Sequence, residues 1–373
     1  MIKIKLLWIT HRKFTDFCAT TSFAFANGLI ELGFNLTILN PEQAGSHNDS
    51  AWEHIGLETN ALRGFQGRSF SKKALNHFES MEMKFDAYLL DWQVGVKVGK
   101  ELAQHNRPVF LMDRSPPADR GILAKLQWNV WKNAWKGVKN GVFKSGFVVS
   151  NSHLRFVTRT LNVSATDITV LHAGVNPQSD LIPLTCEQDD VWKFVYHGQL
   201  DRHRGLLEFM KHIVAWNDIG ISCHLTLIGE GDARSAIASV QAKHPTFFSL
   251  KEKMSHADVL AQLREFHIGI LPMPATKVWK LASPLKRGEY LASGLIVVGI
   301  DHEGHRFDSD VGPWMQLHNA NELKSKIGSF LHYLTPETYQ ECSQAAMEYA
   351  IQNLSWSTSI QRLADEIRGD GRA

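Results

Sequence analysis

Along 373 residues, short apolar runs alternate with amphipathic stretches, and the alternation occurs twice, with an unpatterned segment between. Apolar runs of this kind mark strands buried on both faces, and such strands pair in parallel through helical crossovers. The pattern predicts an α/β chain with two mostly parallel sheets flanked by helices. In the first half the strands fall at residues 4–9, 35–39, 87–90, 109–112, 147–149 and 168–171, with helices at 18–32, 94–105 and 154–161. Residues 42–72, rich in Gly, Asn and Ser, read as a long loop with short elements. Residues 176–190 carry Pro, Gln, Ser and Asp without periodicity and form the expected linker. The second half has strands at 192–196, 224–228, 268–271 and 296–299, and helices at 206–216, 232–243, 257–266, 336–352 and 355–368. Domains over 1–175 and 191–335, with closing helices over 336–373, suit a chain too long for one core.

Composition narrows the classes. At 44% hydrophobic and 21% charged residues, the chain is that of a folded protein, and a formal charge of +2 argues against a nucleic-acid binder. Cys18, Cys186, Cys223 and Cys342 show no paired-ligand spacing, so structural zinc is not expected and reduced thiols are. The first apolar run reads as a strand rather than a signal peptide, and no stretch is long and apolar enough to span a bilayer. A cytoplasmic protein is expected, at the inner face of the cytoplasmic membrane if it attaches peripherally.

The segment Ser283-Pro284-Leu285-Lys286-Arg287-Gly288-Glu289-Tyr290 carries the most chemistry. Ser283 suits an N-cap and Pro284 the first helical position. Open amides at Leu285 and Lys286, with the Lys286 ammonium, make a phosphate site. Glu289, one turn on, is placed to accept both hydroxyls of a ribose or sugar diol. An ordinary capped helix with Glu289 facing solvent has the same spacing.

This segment resembles the S-P-x-K-x-x-E-Y-x-A-x-G donor motif of retaining GT-B glycosyltransferases, family 4, and the resemblance runs in order from about Val109 to Gly299. It implies two Rossmann-like domains facing across a cleft, with the last helices crossing back toward the first domain. His197-Gly198-Gln199-Leu200-Asp201-Arg202-His203-Arg204-Gly205 resembles the family's G-R-L-x-x-x-K-G run, with Gln199 in place of a basic residue and Arg204 in place of the lysine. Arg202 and Arg204 can grip a diphosphate, while a solvated basic turn is the plain alternative. The resemblance implies donor contacts at Gly198, Gly229 and Met254. The first acid of the two-carboxylate members is absent, since Leu281 stands eight positions before Glu289.

On the acceptor side, His11 and Arg12 follow the first strand, and Asp113-Arg114-Ser115-Pro116-Pro117 resembles a D-x-R-S-x-P stretch of some relatives. Asp113 and Arg114 orient an acceptor in that reading, or form a structural pair in the other. Arg204, Lys286, Glu289 and Asp113 are the catalytic candidates. Trp128, Trp131 and Trp135 share one face of a Lys-rich helix over 123–144, which suits either an anionic membrane or a core stripe.

The reading that follows is a retaining, hexosyltransferase-like enzyme of cell-surface polysaccharide, glycolipid or glycoprotein assembly. It would use a UDP- or GDP-sugar, a glycan or lipid-linked acceptor, and no metal or other cofactor. A nucleotide-sugar epimerase of the same fold and a non-catalytic nucleotide-sugar-binding or scaffold protein are the alternatives.

Overall fold

The structure, a computed structural model, describes residues 3–15, 19–59, 65–79, 85–117, 122–176, 184, 191–309 and 311–369. The chain divides into two compact units, Met1–His172 with Trp356–Ala373, and Ala173–Ser355. Most of the expected linker lies outside the described residues.

The first unit contains a parallel sheet of β1 (Lys5–Ile9), β2 (Asn35–Asn40), β3 (Glu53–Gly56), β4 (Ala87–Asp91), β5 (Val109–Met112), β6 (Ser145–Val148) and β7 (Ile168–Val170). Its order is β3-β2-β1-β4-β5-β6-β7. Helices α1 (Thr20–Glu31), α2 (Gln66–Glu79), α3 (Val96–Ala103), α4 (Ile122–Lys139) and α5 (Asn151–Leu161) connect the strands. Every residue of β4 and β5 is buried, as continuous apolar runs require. The chain winds outward from β1 to β3 and returns to β4, so the direction of winding reverses between β1 and β4.

The expected loop over 42–72 in fact contributes β3 and the start of α2. In α2, Phe70 and Ala74 are fully buried one turn apart, and the rest of the helix is largely polar, which left little periodic signal. Helix α4 stops at Lys139, short of the expected residue 144; Gly141 follows with φ +74° and turns the chain into β6.

The second unit has β8 (Trp192–His197), β9 (Cys223–Ile228), β10 (Phe248–Lys251), β11 (Ile268–Leu271), β12 (Ile296–Ile300) and β13 (Met315–His318). They pair in parallel in the order β10-β9-β8-β11-β12-β13, so winding reverses between β8 and β11. The helices are α6 (Leu206–Asp218), α7 (Arg234–Lys243), α8 (His256–Leu263), α9 (Lys277–Leu281), α10 (Leu285–Ala292), α11 (Leu323–Tyr333) and α12 (Pro336–Asn353). Edge strand β13 buries only Met315, which explains its weak sequence signal.

The closing helices belong to different units. Helix α12 opens with a Thr335–Thr338 capping box, and its Ser343 Oγ donates to the Gly294 carbonyl at 2.5 Å in the second unit. Helix α13 (Trp356–Arg368) belongs to the first unit. There Trp356 meets Phe25 edge-on at 5.6 Å, and Ser359 Oγ donates to the His172 carbonyl at 2.9 Å. No helix among the described residues is long and apolar enough to cross a membrane.

Candidate functional site

Ligands of open parallel sheets bind beyond the carboxyl ends of the strands, where winding reverses. In the second unit that point is ringed by the residues after β8 and β11. The Gly198 N–H donates to the Ile228 carbonyl at 2.9 Å. A Cβ on Gly229, at φ +140°, would lie 2.0 Å from the Gly198 oxygen, so the turns after β8 and β9 are backbone against backbone. Gly205, at φ +76°, is similarly confined: its Cβ would lie 2.2 Å from the Pro272 oxygen after β11. Glycine is needed at both positions for conformation and for space.

Helix α10 starts one residue later than its sequence suggested. Pro284 is the N-cap and makes no side-chain cap bond, while Ser283 Oγ accepts the Ala173 N–H at 3.3 Å. The Arg287 N–H bonds to the Pro284 carbonyl at 3.2 Å, and the Leu285 and Lys286 amides head the helix as first and second residues. Such amides lack an intrahelical acceptor.

Two cations converge on Tyr196 of β8. Arg204 Nη1 donates to its hydroxyl at 3.4 Å, and Lys286 Nζ lies 5.1 Å from the ring centroid. Arg204 also approaches Asp201 Oδ2 at 3.3 Å and stands 5.0 Å from the Trp279 ring. The Lys286 ammonium has no carboxylate partner among the described residues. Arg202 is exposed and turned to Asp232, whose Oδ1 accepts the Arg202 N–H at 2.8 Å. Met254 is half-buried against the core of this unit.

Glu289 does not face solvent. Its side chain is 5% exposed, with Oε1 2.7 Å from His256 Nε2 and Oε2 3.2 Å from His197 Nε2. The His256 contact is a hydrogen bond; the His197 contact is misaligned for one. Burial alone would raise the carboxyl pKa, but the two imidazoles outweigh it and hold the group well below the usual carboxylate range. The same contact raises the pKa of His256, whereas burial lowers that of His197. Neither histidine was recognised from the sequence as a partner of Glu289. His197 ends a strand and His256 opens a helix, and only tertiary packing brings them together. Tyr290 is core: it is fully buried, and a Cβ on Gly269 would meet its ring at 2.2 Å.

In the first unit the residues after β1, β4 and β5 meet. Asp91, at the end of β4, is buried and accepts bonds from Trp8 Nε1 at 3.1 Å and Thr10 Oγ1 at 2.6 Å. Arg12 Nε lies 3.8 Å from Asp91, and its Nη2 donates to Ser115 Oγ at 3.2 Å. Arg114 stands over the Phe25 ring at 5.1 Å, and burial with Arg12 nearby lowers its pKa to about 9. Burial and the Arg12 charge bring His11 down to about 4, so its ring is neutral near pH 7.

Asp113, a catalytic candidate from the sequence, lies in the core of the first unit. It is fully buried, and its Oδ2 accepts the indole N–H groups of Trp131 at 2.5 Å and Trp135 at 2.8 Å, with His153 Nε2 at 3.1 Å. The carboxylate is a packing hub. The same bonds correct the expectation of a tryptophan face on a membrane. Trp131 and Trp135 are fully buried, and Trp128 packs edge-on against Trp131 at 5.2 Å.

Glu42, His47 and His54 place three potential metal-ligand atoms within 4.8 Å of one another. Their atoms are largely engaged already. Glu42 accepts from Thr15 N–H at 2.8 Å, Asn40 Nδ2 at 2.5 Å and His47 Nε2 at 2.8 Å, while His54 Nε2 bonds Asn40 Oδ1 at 2.9 Å. Despite its burial, these bonds hold the Glu42 carboxyl at about 2. The network ties the turn after β1 to the turn after β2, and no residue spacing in the sequence reveals it.

No family model matches the sequence, and no curated protein matches it either. Solved structures do match over nearly the whole chain. A glycosyltransferase from Rickettsia africae ESF-5 superposes with a TM-score of 0.72 at 14% identity, covering 99% of both chains. WaaG, a glycosyltransferase involved in lipopolysaccharide biosynthesis, gives 0.71 at 12% identity, covering 98% of this chain and 100% of its own. Anabaena HepE in complex with UDP gives 0.68 at 9% identity, covering 98% of this chain and 100% of its own. The likeness is one of fold: two parallel α/β units of the GT-B type.

Proposed function

We propose that this chain is a glycosyltransferase that moves a sugar from a nucleotide diphosphate to an acceptor hydroxyl, with retention at the anomeric carbon as in family 4. The observation that carries this reading is the convergence of the Arg204 and Lys286 side chains on Tyr196, with the open Leu285 and Lys286 amides at the head of α10 and Glu289 one turn further along that helix. Negative charge grows on the diphosphate as the sugar leaves, and prearranged cations and amides stabilise it. Glu289 receives a diol of the ribose or sugar once His256 swings away from Oε1. The second unit is the donor side; the first unit, through His11, Arg12 and Arg114, is the acceptor side. A UDP- or GDP-sugar is the donor, and the UDP held by HepE favours the former. The WaaG likeness favours a role in cell-surface glycan assembly.

Contact with an anionic membrane bearing a lipid-linked acceptor falls to the exposed face of α4 rather than to its tryptophans. Leu126 and Val130, 48% and 39% exposed, stand one turn apart beside the exposed Lys125, Lys132 and Lys136.

Nucleotide release from a panel of UDP- and GDP-sugars, with the anomeric configuration of the product read by NMR, tests the reaction. Lys286→Ala is expected to slow release by roughly 10²–10³, the usual cost of removing one such stabilising group. A parent protein that binds nucleotide sugars but never turns them over refutes the transferase reading and leaves the binding-protein alternative.

A further inference from the structure

We propose that the carboxyl ends of β1, β4 and β5 form an oxyanion subsite, so that the acceptor carries a phosphate or carboxylate bound by Arg12 and Arg114. The inference rests on the acceptor-side reading above and adds the chemical class of the acceptor. Arg114 Nε and Nη1 are shielded from water without a hydrogen-bond acceptor, and so is Arg12 Nε. Among the described residues, the carboxylate facing this pair is Asp91. Both of its oxygens already take bonds from Trp8 and Thr10, and it stands 3.8 Å from Arg12. Among the described residues, two guanidinium groups therefore share one committed carboxylate, which leaves an excess positive charge there. Lys13 adds a second positive charge at the exposed edge of the same turn.

Shielding guanidinium N–H groups from water without an acceptor is costly, and a guanidinium fork offers paired N–H groups matched to a phosphate or carboxylate. His11, with Nδ1 also buried and unpartnered, presents a neutral ring that can bond a sugar hydroxyl. The position agrees with where parallel sheets bind ligands, because winding in this sheet reverses between β1 and β4.

Calorimetric titration with glucose 6-phosphate, glucuronate and glucose tests the subsite. The two charged sugars should bind the parent protein at least about tenfold more tightly than glucose, the effect of one charge-assisted bond. Arg12→Gln and Arg114→Gln should each remove that preference, Arg114→Lys should restore part of it, and Lys286→Ala should leave it intact. Should Arg114→Gln fail to fold, the half-exposed Arg12 decides the matter. Equal binding of charged and neutral sugars overturns the inference, as does a preference that survives both arginine changes or disappears with Lys286. Nucleotide-sugar binding that persists in Arg12→Gln separates failure here from failure of the donor site.

Discussion

Replacing Glu289 with Gln removes the negative charge between His197 and His256 while keeping the shape of the side chain. The carboxylate is 5% exposed and bonded to His256 at 2.7 Å, so its loss is close to breaking a buried ion pair, which costs about 3–5 kcal/mol. The His256 side chain is 43% exposed, and solvent screening of that partner reduces the expected loss to about 1–3 kcal/mol. The dependence on pH follows from the two shifts. Glu289, depressed below its ordinary 4.5, contributes stability that is present above that value and lost as pH falls through its folded pKa. His256, raised above 6.5, contributes stability that is complete below that value and lost as pH rises through its folded pKa. The penalty of Glu289→Gln should therefore be largest between 4.5 and 6.5 and shrink toward alkaline pH. Calorimetric scans at pH 6 and pH 9 would measure it, with about 2–4 °C expected per kcal/mol for a unit of this size. An equal shift at both pH values, or none at either, would show that the carboxylate is not paired with His256 as described.

Three further outcomes follow from the packing. Asp113→Ala leaves two buried indole N–H groups without an acceptor and should cost about 2–6 kcal/mol, read as a lowered melting temperature; a cost below about 1 kcal/mol contradicts the hub. Gly205→Ala must place a Cβ 2.2 Å from the Pro272 oxygen at φ +76°, so a loss of about 1–3 kcal/mol or more is expected by thermal unfolding, and an unchanged melting temperature refutes the tight turn. Flotation with anionic liposomes should fall when Leu126 and Val130 are both changed to Ser. Binding retained in that variant, or absent from the parent protein, removes α4 as a membrane face.

The sequence made continuous buried strands easy to read: β5 and β11 lie at the expected residues, because unbroken apolar runs have no competing helical reading of comparable length. It was silent where burial rests on one or two side chains, as in α2 with Phe70 and Ala74 or β13 with Met315. In α10 the structure keeps Lys286 and Glu289 one turn apart on one helix, as the motif spacing expects, but Ser283, expected to cap the helix, instead accepts the Ala173 N–H through its Oγ. Motif spacing also could not distinguish a carboxylate that meets ligand from one that meets the core. Asp113 and Glu289 both end buried, one against indoles and the other against imidazoles, and those partners lie far away in sequence. The α4 tryptophans show the same limit: a three-and-four spacing defines a face without saying what covers it.

The most direct test is a crystal of this protein grown with UDP or GDP. The account predicts the diphosphate at the head of α10, within hydrogen-bond distance of the Leu285 and Lys286 amides and beside Lys286 and Arg204, with Glu289 released from His256 to the ribose. A nucleotide bound away from α10, with Glu289 still held by His256, contradicts it.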